Sequence, residues 1–203
     1  MTRARRDMPA RPGRDGNSML VQTEPTPNPA TLKFLPGRPV MEHGTADFPG
    51  PEAAGRSPLA LALFAVPGVI GVFLGADFVT VAKASENDWD SLIPRVQAAI
   101  VDHFASGLPV VEATASPPPA DAESGEDDEL VTQIRELLDT RVRPAVAMDG
   151  GDIVFHGFDK GIVYLRMQGA CAGCPSATAT LKIGIENMLR HYVPEVVEVR
   201  AVL

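Results

Sequence analysis

Cysteine is nearly absent from this chain: there are two in 203 residues, Cys171 and Cys174. That scarcity excludes a disulfide scaffold of the kind built in oxidising compartments and points to a reducing, intracellular setting. Long apolar runs are missing too. Spanning a bilayer takes about 20 consecutive apolar residues, and the longest apolar region, Val66 to Ala84, is broken by Pro67, Gly68, Gly71, Gly75 and Asp77. It reads as strands and a turn, and no membrane partner is expected. Basic residues are in deficit, with 18 Lys and Arg against 26 Asp and Glu, a formal charge of −8. Nucleic acid is therefore an unsuitable partner, because phosphate contacts depend on clustered positive charge.

The first eighteen residues are the exception in charge, carrying Arg3, Arg5, Arg6, Arg11 and Arg14, but they have no apolar core of the kind a secretory signal needs. Asp7 and Asp15, and the lack of an amphipathic apolar stripe, also weaken an organelle transit peptide. Residues 1–18 are expected to be a disordered basic leader, with Met19 a second candidate start. A bacterial cytoplasmic location follows, mitochondrial only if the leader directs import.

The rest divides into two small α+β domains joined by an acidic, proline-rich linker. The domain over 19–107 opens with short strands at Leu20 to Gln22 and Leu32 to Leu35, around the turn-rich Pro25-Thr26-Pro27-Asn28-Pro29. A helix over Ser57 to Ala65 stops before Pro67. Val69 to Leu74 and Phe78 to Ala82 flank Gly75-Ala76-Asp77 as a hairpin. Asn87 or Asp88 caps a helix with Leu92, Val96, Ala99, Ile100 and Phe104 at helical spacing. Glu24, Asn28 and Lys33 read as turn and surface groups. The domain has no cysteine and so no metal set, which leaves it partner recognition or positioning.

Residues 108–128 contain Pro117-Pro118-Pro119 followed by a run of carboxylates, too few apolar groups to offset the entropy of ordering. In the domain over 129–203, Leu130, Ile134, Leu137, Leu138 and Val142 mark one face of a helix expected to end near Pro144. Asp149-Gly150-Gly151-Asp152 is a glycine turn. Strands over Ile153 to Gly157 and Ile162 to Met167 follow, the second with Val163, Leu165 and Met167 on one face. Pro175 suits the first turn of a helix whose buried stripe is Ala177, Leu181, Ile185, Met188 and Leu189. Val197, Val199 and Ala201 alternate with Glu198 and Arg200 as a last strand, giving the order αββαβ.

Between the second strand and that helix lies Gly169-Ala170-Cys171-Ala172-Gly173-Cys174-Pro175. A CxxC turn supplies two thiolate ligands, whereas a tetrahedral sulfur site or an iron–sulfur cluster ordinarily takes four. Two per chain suggest a site shared by two chains. The start of a helix favours thiolates and an anionic cluster through its unsatisfied N–H groups and dipole, and Gly169 and Gly173 let backbone approach a bulky ligand. Three other uses compete. A thiol–disulfide redox pair would sit at a helix start as well, although Ala170 stands where thioredoxin-like motifs carry an aromatic residue. A structural zinc needs two ligands beyond the cysteines, and His43, His103, His156 and His191 show no ligand-like spacing, which leaves a zinc shared across a dimer. Unpaired cysteines without a function are the fourth.

The glycine turn at 149–152, the two strands after it and the CxxC segment together resemble the C-terminal NifU-like domain of Nfu proteins over roughly residues 129 to 203. Separately, Gln22-Thr23-Glu24-Pro25-Thr26-Pro27-Asn28-Pro29-Ala30-Thr31-Leu32-Lys33-Phe34 is similar to the opening of the Nfu N-terminal domain. The resemblance implies a non-enzymatic iron–sulfur cluster carrier or late scaffold. In it, Cys171 and Cys174 of each of two subunits ligate the iron of one bridging [4Fe–4S] cluster, or alternatively a [2Fe–2S] cluster. The cluster would come from an upstream scaffold and pass to apo iron–sulfur proteins, with the carrier a homodimer when loaded. Transfer calls for an exposed cysteine pair, because the recipient's thiolates must reach the irons. The runner-up is a thiol–disulfide oxidoreductase using the same pair.

Overall fold

The computed structural model describes residues 20–112, 128–173 and 175–202. The basic leader and the centre of the expected linker, 113–127, lie outside them, as does Cys174.

The first half forms a five-stranded sheet. Strands β1 (Gln22–Pro25), β2 (Thr31–Leu35), β3 (Ala46–Phe48), β4 (Val69–Leu74) and β5 (Val79–Lys83) lie in the order β1-β2-β5-β4-β3, every pair antiparallel. The first strand starts two residues later than Leu20 and runs into Pro25. Its partner β2 is anchored by Thr31, whose N–H is bonded to the Asn28 carbonyl, so pairing extends from Gln22–Leu35 to Pro25–Leu32. Pro25 is tolerated because β1 is an edge strand. The short strand β3 and the 3₁₀ turn over Pro51–Arg56 have no counterpart in the sequence reading, since three residues carry no periodicity to detect.

Helices α1 (Pro58–Phe64) and α2 (Trp89–Ser106) cover one face of this sheet. Ser57 caps α1: its Oγ accepts the Ala60 N–H at 3.0 Å and donates to the Val110 carbonyl at 2.6 Å. Asp88 occupies the cap position of α2 without a side-chain capping bond, and Gly107, at φ 70°, ends the helix in the left-handed region. Phe34, Phe48, Val72, Leu74, Val79 and Val81 from the sheet meet Leu59, Leu63, Leu92, Val96 and Ile100 from the helices in one core. The first residues of the expected linker pack here as well, with Val110 and Val111 against the core and the Glu112 N–H bonded to the Arg56 carbonyl at 2.7 Å.

The second half follows the order αββαβ. Helix α3 (Asp128–Leu137) does not stop before Pro144: it passes through a π turn, Leu138–Val142, into α4 (Arg143–Met148). The wider turn resets the hydrogen-bond ladder, so that Pro144 falls in the first turn of a new α segment, where no N–H is required. Strands β6 (Gly151–Asp159) and β7 (Ile162–Gly169) form a hairpin closed by Lys160 and Gly161, both at positive φ, as a two-residue loop of the primed type demands. Helix α5 (Pro175–Tyr192) then crosses to β8 (Glu198–Val202), which pairs parallel to β7.

Ile134, Leu138, Val142 and Val146 from the helical arm, Ile153, Val163, Leu165 and Met167 from the hairpin, and Ile185 and Leu189 from α5 make the second core. Val199 joins it fully buried, whereas Val197 is exposed because it precedes β8 rather than lying in its inward register. Among the described residues, no helix is long and apolar enough to cross a membrane.

Candidate functional site

The strands place the two glycine turns side by side. Gly151 is the register partner of Gly169, so the turn entering β6 and the turn leaving β7 form one ledge. The Ala170 N–H donates to the Gly150 carbonyl at 3.1 Å, tying them together. The ledge requires residues without side chains. A Cβ on Gly151 would lie 2.5 Å from Cys171 Sγ, and Gly150, Gly169 and Gly173 hold φ of 83°, 60° and 82°.

Cys171 sits on this ledge with its N–H directed at the Gln168 carbonyl (3.3 Å) and its own carbonyl accepting from Thr178 Oγ1 of α5 (3.0 Å). The chain thus leads into α5, which begins at Pro175, while Cys174 lies outside the described residues. The exposure expected of the pair does not hold for Cys171, which is 6 % exposed and counts among the residues of the C-terminal core. Its thiol faces the glycine ledge, and burial pushes its pKa up to about 12, with the nearby Asp149 and Asp152 carboxylates adding to the shift. Low dielectric and two negative charges thus disfavour the thiolate that the start of the helix was expected to favour. A cavity of about 410 Å³ opens beside the thiol, between Pro27 on one side and Val146, Asp149, Ala170, Thr180 and Leu181 on the other.

Asp152 is more than a turn residue. It is buried at 3 % exposure, and the Arg143 guanidinium of α4 grips its carboxylate through Nε (2.9 Å) and Nη2 (2.8 Å). Thr45 Oγ1 and the Ile153 N–H complete its hydrogen bonds at 2.8 Å each. The ion pair holds the guanidinium firmly in its charged state and braces the ledge against α4.

Asn28 and Lys33 are buried, at 3 % and 8 % exposure, and only Glu24 of the three expected surface groups is exposed. The face of the five-stranded sheet opposite α1 and α2 is covered by the ledge of the second half. Lys33 Nζ donates to the Met148 carbonyl (3.1 Å), Thr80 Oγ1 to the Gly150 carbonyl (2.6 Å) and Asn28 Nδ2 to the Ala172 carbonyl (2.9 Å). Asp47 on the same face takes a hydrogen bond from the Gly169 backbone and feels the Arg166 charge, yet burial dominates and raises its pKa. In the sequence, Lys33 and Thr80 alternate with core residues and look solvent-facing. Only their positions on one sheet face, opposite two glycine turns more than 60 residues away, make them part of the site.

No group of three or more His, Cys, Asp or Glu side chains suited to holding a metal occurs among the described residues. The histidines do not converge on Cys171. His103 is buried in α2, with its Nε2 lacking a hydrogen-bond partner among the described residues.

Comparison with known proteins bears on both halves. Residues 134–200 match the model of the NifU-like domain, and residues 21–107 match the model described as "Scaffold protein Nfu/NifU N terminal". The chain is 55 % identical over 186 residues to the human "NFU1 iron-sulfur cluster scaffold homolog, mitochondrial", covering 91 % of this chain and 72 % of that protein. "NifU-like protein 4, mitochondrial" of Arabidopsis thaliana is 53 % identical over 187 residues, covering 91 % of this chain and 66 % of the relative, a little under two thirds of its length. A solution structure of a NifU-like protein from Saccharomyces cerevisiae overlaps with a TM-score of 0.43 at 23 % identity, covering 56 % of this chain and 100 % of that one. With an Nfu-type N-terminal half followed by a NifU-like half bearing the cysteine ledge, the chain belongs to the Nfu family of NifU-like proteins.

Proposed function

We propose that this chain is a non-enzymatic carrier of iron–sulfur clusters, in which Cys171 and Cys174 of two chains together ligate one [4Fe–4S] cluster as cargo. The cluster arrives from an upstream scaffold and leaves to apo iron–sulfur proteins. A [2Fe–2S] cluster is the other cargo that four thiolates admit. The observation that carries this reading is the glycine ledge around Cys171: a thiol at a chain turn, held against the Gly151 backbone, bordered by a cavity and leading into α5. Names of the relatives, iron–sulfur cluster scaffold homologues assigned to mitochondria, support it. The compartment we propose for this chain is a reducing one: the cytoplasm, or the mitochondrion if residues 1–18 direct import.

The chemistry is ligand exchange. Cys171 is protonated at neutral pH, so binding iron displaces its proton, and loading releases acid. Iron's positive charge also offsets the field of Asp149 and Asp152, which a disulfide-exchange nucleophile would have to overcome unaided. Transfer then proceeds as recipient thiolates replace the carrier's one at a time, downhill towards a more complete or better enclosed ligand set.

Anaerobic reconstitution with iron and sulfide, followed by native mass spectrometry and metal analysis, tests the proposal on wild type beside Cys171→Ser and Cys174→Ser. The expected product is a dimer with about four irons and four sulfides, lost in both variants. Full iron retention by either variant would overturn the ligand assignment. A metal-free monomer with cysteine-dependent disulfide reductase activity would replace the carrier with an oxidoreductase, and a dimer with one zinc would make the site structural.

A further inference from the structure

We propose that the Pro25–Asn28 turn and the sheet face behind it form a latch over the cysteine ledge of their own chain, closed in the cluster-free protein and released when two chains share a cluster. Release rests on the carrier reading; closure stands on the geometry alone. Side-chain hydrogen bonds join the first half to the second: Asn28, Lys33, Thr45 and Thr80 donate across, and the Asp47 carboxyl accepts from the Gly169 backbone. Three of the donors take main-chain carbonyls in or next to the two glycine turns, at Met148, Gly150 and Ala172.

The contact is built rather than incidental. Asn28 is oriented by its own turn, with Oδ1 accepting the Ala30 N–H at 3.0 Å, which leaves Nδ2 to donate to Ala172. Phe73, 1 % exposed, lies outside the first half's helix-packed core and against the ledge, where a Cβ on Gly169 would come 2.8 Å from its ring. A Cβ on Gly150 would come 2.8 Å from Thr80 Oγ1. The glycines therefore serve the N-terminal face as well as the cysteine.

The position of the latch decides its consequence. Ala172 lies between the two cysteines, and Pro27 walls the cavity beside Cys171. A second chain that reaches Cys171 through this cavity meets the Pro25–Asn28 turn. Latch and partner ledge compete, so the apparent affinity for the shared cluster is lowered by the fraction of chains that are open. Each neutral hydrogen bond removed from the latch should raise that fraction about fivefold.

Lys33 reports the state of the latch, because its amine, paired with Glu24 of its own half, donates to the Met148 carbonyl of the second half, and its side chain is left only 10 % exposed in the closed form. The test is amine acylation of the full-length protein, with labelling at Lys33 divided by that at exposed Lys160 and read by mass spectrometry. In metal-free wild type the ratio is expected to be low. In Asn28→Ala/Thr80→Val it should rise at least tenfold, with Trp89 fluorescence retaining a folded N-terminal half. In the anaerobically reconstituted wild-type dimer it should rise similarly. An unchanged ratio in the double variant would overturn closure. A low ratio in a dimer that does carry iron and sulfide would overturn release while leaving the carrier reading intact. Failure to load any cluster would overturn the carrier reading and release with it, and the metal-free comparison would still decide closure.

Discussion

Alanine at Gly169 and alanine at Gly173 should have different costs, although both positions lie in the same turn and both have left-handed backbone, φ 60° and 82°. Placing an L-residue there costs roughly 1–2 kcal/mol in either case. The lower conformational entropy of alanine in the unfolded chain returns about 0.4–1 kcal/mol to both. The surroundings separate them. A Cβ at 169 meets the Gly150 carbonyl and the Phe73 ring at 2.8 Å each, whereas the nearest atom to a Cβ at 173 is Asn28 Nδ2 at 3.9 Å, in ordinary contact. Overpacking of a close site adds about 1–3 kcal/mol. Gly169→Ala should therefore be less stable than Gly173→Ala by about 1–3 kcal/mol.

Opening the two halves relieves the clash with Phe73 but not the clash with Gly150, which belongs to the same ledge, so a penalty persists in either arrangement. Urea unfolding resolves the difference with two intrinsic probes: the single tryptophan, Trp89, in the first half, and the two tyrosines, Tyr164 and Tyr192, in the second. The tyrosine transition of Gly169→Ala should shift to lower urea relative to Gly173→Ala. Coincident tyrosine midpoints for the two variants would refute the ledge geometry.

Arg143→Met should destabilise the C-terminal half by about 2–3 kcal/mol, because it strips the main counter-charge from a buried carboxylate. Asp152→Asn in the same background should recover part of the loss in urea unfolding, and a single variant indistinguishable from wild type would contradict the buried ion pair. Ser57→Ala removes the α1 cap and the bond to Val110, a loss of about 1–2 kcal/mol in the Trp89 transition; an unshifted midpoint would count against that double role. Burial holds the His103 pKa below 6.5, so the unfolded chain takes up the proton first as pH falls. Stability should be full above about pH 6.5 and decline below it towards the folded-state pKa. His103→Phe should flatten the urea midpoint between pH 7 and 5, and equal slopes in variant and wild type would exclude His103 as the source.

Much of the architecture was legible because it rests on local rules. Leu92, Val96 and Ile100 repeat at helical spacing and are fully or almost fully buried in α2, and Val163, Leu165 and Met167 alternate onto the core face of β7. Pro144 misled, since a proline after a helical stripe ordinarily ends it; the π turn over Leu138–Val142 that accommodates it carries no signal in the residues themselves. The three residues of β3 were too few to register. Cys171 was placed correctly in chain and turn, but its burial was not legible, because glycine-rich turns are exposed by default and this one is covered.

Composition and order alone determined two α+β units, the αββαβ order and a glycine-rich turn bearing Cys171 that leads into a helix. These follow from periodicity, turn chemistry and residue counts, all properties of neighbours along the chain. The tertiary structure decided what surrounds that turn: the Arg143–Asp152 brace, the raised thiol and the contact of Asn28, Lys33, Phe73 and Thr80 with the ledge. Those groups come from distant strands, and a polar residue alternating along a strand shows only which face it occupies. Whether that face meets water or another sheet's glycine turn is set by how the halves pack.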